Sequence, residues 1–236
     1  MYGDAFCRVY NEFGWNYFPE AFAHQLIEWM RSNEVQAGSC LDLGCGTGVL
    51  CEVLHGQGID VRGMDLSESM IKVAKERMPQ ICYEVGDMIT YLPDRKFDLV
   101  TCTGDALNHI ISPEDVGRIF RNVYSYLNDG GYFIFDVLSD DEVPDDEPFD
   151  LDFSDEVRAQ FQVTRTEDGM IQLKTSVYEN GSLSFEEKIF ETVHDIGEIC
   201  RLLGEAHFTV ERCSHKLLEE NPVSAATWYV IARRDG

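Results

Sequence analysis

The chain has 236 residues, 44% of them hydrophobic and 11% aromatic, and a domain takes roughly 100 to 200 residues, which points to one large folded domain or one domain carrying an insertion. Forty-three acidic against 19 basic residues leave a net charge of −24. A surface that negative repels phosphate backbones and anionic lipid headgroups, which argues against nucleic acid and membrane as partners. No apolar run approaches the roughly 20 residues of a spanning helix, and Met1-Tyr2-Gly3-Asp4 lacks the basic and apolar regions of a signal peptide, so a cytoplasmic location is expected. The eight cysteines form no CxxC pair and are read as reduced, mostly buried thiols. Cys40, Cys45 and Cys51 are close in sequence but divided among a strand, a turn and a helix, and no metal is expected.

Phe22, Leu26, Trp29 and Met30 share one helical face within residues 21–31. Strand and helix then alternate. Ser39 to Leu43 reads as a short strand ending in glycines, Val49 to His55 as a helix, and Ile59 to Met64 as a second strand ending at Asp65. Ser67 caps a helix from Glu68 to Met78 that Pro79 stops. Strands follow at Ile81 to Val85 and Phe97 to Cys102. Next comes a helix from Pro113 to Leu127 with Ser112 as cap and Asn128-Asp129-Gly130-Gly131 as exit, and then a strand from Tyr132 to Val137. This alternation predicts a parallel, doubly wound α/β sheet. The rhythm breaks between Asp140 and Glu156, where ten acidic residues and two prolines fall without one Lys or Arg, and the stretch is read as loop. Strand-like runs at Ala159–Thr166, Met170–Glu179 and Leu183–Val193, joined by Asp-Gly and Asn-Gly turns, predict a three-stranded antiparallel meander. A helix near Asp195 to Ala206 and strands near Phe208 to Cys213 and Thr227 to Ala232 return to the first pattern. The meander is thus an insertion after the fifth strand.

Leu41-Asp42-Leu43-Gly44-Cys45-Gly46-Thr47-Gly48 follows a strand and opens a helix, placing glycines where the backbone must turn tightly and let a ligand approach. The spacing is GxGxG; the dinucleotide fingerprint would need glycine where Val49 stands. Asp65 ends the second strand, where a carboxylate can accept both hydrogen bonds of a ribose diol. Gly86-Asp87-Met88 follows the third, where a carboxylate can receive an adenine amino group and Met88 can pack on the ring. Three such strand ends outline a nucleoside-shaped crevice at the carboxyl edge of the sheet.

With Phe97-Asp98-Leu99-Val100 and Leu127-Asn-Asp-Gly-Gly131, these residues make the chain similar to the class I S-adenosylmethionine-dependent methyltransferases. The resemblance implies a Rossmann-like, mostly parallel seven-stranded sheet with the antiparallel insertion after strand 5. It implies a core of residues 1–138 and 194–236, with 139–193 as a cap on the acceptor site. It places Asp42 and Gly44 at the methionine amino group, the loop Gly44, Cys45, Gly46 and Gly48 around the methionine part, Asp65 on the ribose, and Asp87 and Met88 on the adenine. Thr101 to Gly104 would run under the methionine moiety; Tyr10, Leu66, Met70, Gly86 and Thr103 complete the expected cofactor set. The opening segment from Met1 to Tyr10 and the meander resemble the branch that methylates amino sugars linked to nucleotides, although that branch commonly has Tyr-Asp where this chain has Tyr10-Asn11.

In place of the Asn/Asp-Pro-Pro-Tyr/Phe loop that serves base and glutamine methylation in this superfamily, the chain has Gly104-Asp105-Ala106-Leu107-Asn108-His109, which argues against both substrates. Displacement at an activated methyl needs alignment above all, and a base only if the acceptor must lose a proton. Asp105 and His109 are the polar groups nearest the expected methyl and are read as catalytic, with Asp136 a weaker candidate. The N-terminal aromatics Tyr2, Phe6, Tyr10, Phe13, Trp15, Tyr17 and Phe18 can cover the cofactor or simply pack as a helical cap. The expected reaction is methyl transfer from S-adenosyl-L-methionine to a small molecule, on nitrogen before oxygen, with S-adenosyl-L-homocysteine as product. A non-catalytic module binding the same nucleoside and a nicotinamide-dependent oxidoreductase are the alternatives, and a homodimer is left open.

Overall fold

The computed structural model describes residues 6–7, 10–11, 13–138, 148–218 and 227–236. Seven strands form the main sheet: β1 (Ser39–Leu43), β2 (Asp60–Asp65), β3 (Cys82–Val85), β4 (Phe97–Cys102), β5 (Leu127–Leu138), β10 (Phe208–Ser214) and β11 (Thr227–Arg234). Their order is β10-β11-β5-β4-β1-β2-β3. β1 pairs in parallel with β2 on one side and β4 on the other, β2 with β3 and β4 with β5; β11 runs antiparallel to both β5 and β10. The chain therefore fills one half of the sheet outward from β1, then returns to fill the other. That reversal opens a crevice at the carboxyl ends of β1 and β4, where ligands bind in doubly wound sheets.

Side chains along these strands alternate between two cores. Leu41, Leu43, Phe133 and Phe135 face α4 (Pro113–Tyr126) and α5 (Ile196–Glu205), meeting Ile119, Phe120, Ile199 and Leu203. Cys40 and Ile134 face the opposite layer of α1 (Tyr17–Ser32), α2 (Val49–Gly56) and α3 (Glu68–Arg77), meeting Leu26, Leu50 and Ile71. Strands buried on both faces account for their nearly unbroken apolar sequences. The Ser67 side chain accepts Met70 N–H and so caps α3, as its position predicts; Ser112 precedes Pro113 at the start of α4, but its hydroxyl makes no cap bond.

A second sheet is antiparallel, in the order β6-β7-β8-β9: β6 (Phe149–Asp152), β7 (Val157–Arg165), β8 (Ile171–Glu179) and β9 (Ser182–Glu191). It has four strands where three were expected, because part of the acidic stretch pairs. Asp150 and Asp152 stand opposite Gln160 and Arg158. Arg158 Nε donates to Asp152 at 2.6 Å and Gln160 to Asp150 at 3.0 Å, offsetting carboxylate repulsion that would otherwise favour solvated coil. Residues 139–147 of that stretch lie outside the described residues. Asn128 to Gly131 is likewise no exit turn: β5 begins at Leu127, opposite Phe97, with a register shift before Leu99. Among the described residues, no helix is long and apolar enough to cross a membrane.

Candidate cofactor and acceptor site

At the crevice, the chain leaving β1 folds back on β2: the amides of Gly44 and Cys45 both donate to Met64 O, at 2.7 and 3.0 Å. Gly44 has φ +72°, and a Cβ there would sit 2.7 Å from Ala106 Cβ; Gly48 has φ +77°, and a Cβ there would sit 2.5 Å from the Tyr83 hydroxyl. Both positions therefore require glycine on conformational and steric grounds. One Asp65 carboxylate oxygen accepts Gly46 N–H at 2.9 Å and the other accepts Ser67 N–H at 2.8 Å. The carboxylate joins the glycine turn to the start of α3 and faces the cavity between them.

This cavity has a volume of about 330 Å³. Its walls include Asp42, Gly44, Cys45 and Gly46 from the first strand end, Asp65, Leu66 and Met70 from the second, Gly86, Asp87 and Met88 from the third, and Thr103, Asp105 and His109 from the fourth, with Tyr10 across the opening. The sequence-predicted cofactor and catalytic residues thus line one cavity, except Gly48, which stands behind the loop against Tyr83, and the weaker candidate Asp136, which lies behind the turn after β4. Trp15 and Phe18 join Tyr10, while Phe13 turns the other way and packs on Phe153 and Phe161 of the second sheet, at 4.4 and 6.2 Å.

The electrostatics of the cavity are set by buried acids. Asp42 is 2% exposed, accepts from Thr101 Oγ1 at 2.7 Å, and is pushed up to about 7 by burial. Burial also raises Asp65 against the opposing effect of its backbone donors. Asp87 is exposed and turns one oxygen to Ile89 N–H at 2.9 Å. Among the described residues, no Lys or Arg lines the cavity. A ligand carrying positive charge relieves these acids and an anionic ligand opposes them.

Beyond β4, Asp105 occupies a left-handed conformation, φ +59°, which costs a residue with a Cβ free energy and is held here from behind. Asp136, fully buried, accepts the amides of Gly104 and Asp105 at 2.9 and 3.1 Å. The weaker sequence candidate is thus the anchor of the turn that presents Asp105. Burial raises both carboxyls, and their proximity raises Asp136 further. His109 closes the following 3₁₀ turn, Ala106–His109. Its Nδ1 lies 3.4 Å from Phe190 O; a carbonyl only accepts, so Nδ1 carries the proton and Nε2 the lone pair. Burial lowers the His109 pKa and keeps the ring neutral.

The second sheet brings in a group that sequence reasoning missed. Glu191, the last residue of β9, lines the cavity with its side chain 12% exposed, 3.9 Å from His109 Nε2. Burial, aided by the charge of Asp105, pushes Glu191 up to about 8. Its position is fixed by Asn108, which is fully buried, donates Nδ2–H to Thr192 O at 2.7 Å and accepts Leu138 N–H at Oδ1 at 3.2 Å. No local signal marks Glu191, because it lies 82 residues beyond His109 and reaches the site only through this tertiary contact.

Residues 40–131, which build most of this wall, match the family described as "Methyltransferase domain". The YqeM protein of Bacillus subtilis (strain 168) is 32% identical over 161 residues, covering 66% of this chain and 63% of its own. The dTDP-4-amino-2,3,4,6-tetradeoxy-D-glucose N,N-dimethyltransferase of Saccharopolyspora spinosa is 28% identical over 116 residues, covering 49% and 47%. In both, the match spans less than two thirds of the relative. Among solved structures, S-adenosylmethionine-bound CalS10, an amino pentose methyltransferase from Micromonospora echinaspora, superposes with a TM-score of 0.79 at 19% identity, covering 99% of this chain and 98% of that one. Residues 40–131 of this chain thus carry a methyltransferase domain, and the chain as a whole shares its fold with S-adenosylmethionine-bound CalS10.

Proposed function

We propose that the protein transfers a methyl group from S-adenosylmethionine to a nitrogen of a small-molecule amine. The observation that carries this reading is the coincidence of the matched domain with the acid-lined cavity: glycine turn, Asp65 and Asp87 lie in order along three strand ends. The cofactor fits this lining: the acids Asp42 and Asp65 would hold its positively charged part, and Asp65, Asp87 and Met88 would hold its adenosine. When bound, it supplies a methyl group on a positively charged sulfur, open to in-line displacement.

The chain's own residues then have separable tasks. Asp42 receives the ammonium at the end of β1. Asp65, fixed by the Gly46 and Ser67 amides, accepts the ribose hydroxyls, and Leu66, Met70, Gly86 and Met88 flank the base. Thr103 and Gly104 form the floor, and Tyr10 covers the opening. Asp105 and His109 orient the acceptor, and the Nε2 lone pair of His109 can take the proton a nitrogen sheds. The four-stranded sheet caps the acceptor end. Nitrogen is favoured over oxygen because the acceptor end, among the described residues, offers carboxyls and no cation, a setting that retains amines; the amino-sugar enzymes named above support the same choice.

Calorimetric titration with S-adenosylhomocysteine tests the cofactor site: micromolar binding, weakened at least tenfold in Asp65→Ala, is expected. Absence of binding to the wild-type protein removes the reading. Alanine variants of Asp105 and His109 that keep turnover within threefold of wild type would remove their proposed roles.

A further inference from the structure

We infer that the acceptor is a cationic amine that carries no phosphate, seated with its nitrogen against the carboxyls of Glu191 and Asp105. The inference rests on the methyltransferase reading and narrows its substrate class, departing from the dTDP-linked sugar in the Saccharopolyspora enzyme's name.

A phosphorylated substrate needs Arg or Lys side chains, or a helix N-terminus whose amides are open to it. The described cavity wall contains neither Arg nor Lys. Of the 19 basic residues in the sequence, 18 are described and none lines the cavity; the other is Arg8, outside the described residues. Three helix N-termini border the site. At the cofactor end, α2 follows the glycine turn and α3, where the Ser67 amide already donates to Asp65, stands beside it. At α1, whose first-turn Phe18 and Pro19 line the cavity, the Tyr17 amide donates to Gly14 O and Pro19 has no N–H to offer. The acceptor end presents acids instead. Glu191 and Asp105 converge there from different elements, and the neutral His109 adds no positive charge. A phosphate entering this end would bring negative charge beside Asp105 and beside a Glu191 already short of positive charge, and no described Lys or Arg lines the cavity to compensate it.

The same surroundings suit an amine. Glu191 is nearly buried, near a second carboxyl, and retains its proton to about pH 8, the signature of an acid short of positive charge. An ammonium group supplies that charge. Trp15, Phe18 and Phe190 border the opening, so an apolar or cyclic body attached to the nitrogen finds ring surface, and a cation near those rings gains further attraction.

The test uses the full chain saturated with S-adenosylhomocysteine and titrated calorimetrically with benzylamine, spermidine, the methyl glycoside of an amino sugar, and the dTDP-linked form of that sugar. The expected result is that at least one phosphate-free amine binds tenfold or more tightly than the dTDP-linked sugar. Glu191→Gln should then weaken that amine at least tenfold, with S-adenosylhomocysteine affinity held within threefold as the check on folding. The inference is overturned if the dTDP-linked sugar binds as tightly as the best amine, if none of the amines binds, or if Glu191→Gln leaves amine affinity unchanged. Failure of wild-type protein to bind S-adenosylhomocysteine overturns the underlying reading instead.

Discussion

Asn108 and Thr192 are joined twice: Thr192 N–H donates to Asn108 O at 2.7 Å, and Asn108 Nδ2–H donates to Thr192 O at 2.7 Å. One contact belongs to the backbone and survives substitution, while the other needs the amide side chain, which also accepts Leu138 N–H. Asn108→Ala leaves two part-buried backbone groups, Thr192 O and Leu138 N–H, short of partners, at up to about 1–3 kcal/mol for each such group. Denaturant titration should show a loss of that order. S-adenosylhomocysteine affinity should change little, because the contact supports Glu191 and not the glycine turn; a tenfold fall in cofactor affinity would contradict the division between the two ends.

Tyr83 offers a change in the opposite direction. Its hydroxyl is buried beneath Gly48 with no hydrogen-bond partner, and an unsatisfied buried polar group costs about 1–3 kcal/mol. Tyr83→Phe should be neutral or stabilising in thermal and denaturant unfolding. Gly48→Ala should lose about 2 kcal/mol or more, because the new Cβ meets that hydroxyl and the backbone is left-handed. The double variant should recover only part of this, since removing the hydroxyl leaves the backbone strain.

Asp42 gives a pH dependence whose sign is fixed by its burial. Its folded-state pKa of about 7 lies above the unfolded value near 3.9, so between those values the native state binds more protons and stability falls as pH rises. Relative to Asp42→Asn, the wild-type protein should lose up to about 4 kcal/mol between pH 4 and pH 7. Parallel unfolding curves for both proteins across this range check the difference. A flat difference would mean that Asp42 remains ionised when folded.

The charge on Glu191 can be read with a permanently cationic probe such as benzyltrimethylammonium, which has no ammonium proton to complicate the profile. Tyr10, Asp105 and His109 face the same space. Tyr10 is held above its usual range by burial and His109 is kept neutral by it, so neither gains charge from pH 6.5 to 9. Asp105 is raised too, and its ionisation is nearer completion at the start of that range. Probe affinity should therefore rise from pH 6.5 to 9 as Glu191 ionises, and Glu191→Gln should flatten most of the slope.

Much of the cofactor end is legible in the chain order because its signals are local. A strand, a glycine turn and a helix occupy consecutive residues from Ser39 to Gly56, and Asp65 and Asp87 each end a short apolar run. Asp105 and His109, in the turn after β4, follow from the same topology. The acceptor end is hidden because its geometry depends on tertiary pairing. β6 looks like solvated acidic loop until Arg158 is placed opposite Asp152. Glu191 looks like an ordinary strand-end acid until Asn108 fixes the chain beside it. Asp136 was read for reactivity, yet its two backbone acceptances identify it as the support of a strained turn.

The aromatic segment has a kinetic consequence. Tyr10 and Trp15 border the cavity, their rings 5.9 Å apart, while Phe13 between them in sequence is clasped by Phe153 and Phe161. If a nucleoside shifts Tyr10 or Trp15, Phe13 and its contacts with Phe153 and Phe161 should shift with them, coupling admission of the first ligand to assembly of the second ligand's pocket. Turnover should follow a compulsory order, methyl donor before amine, with the demethylated product leaving last and competing with the donor for the free protein.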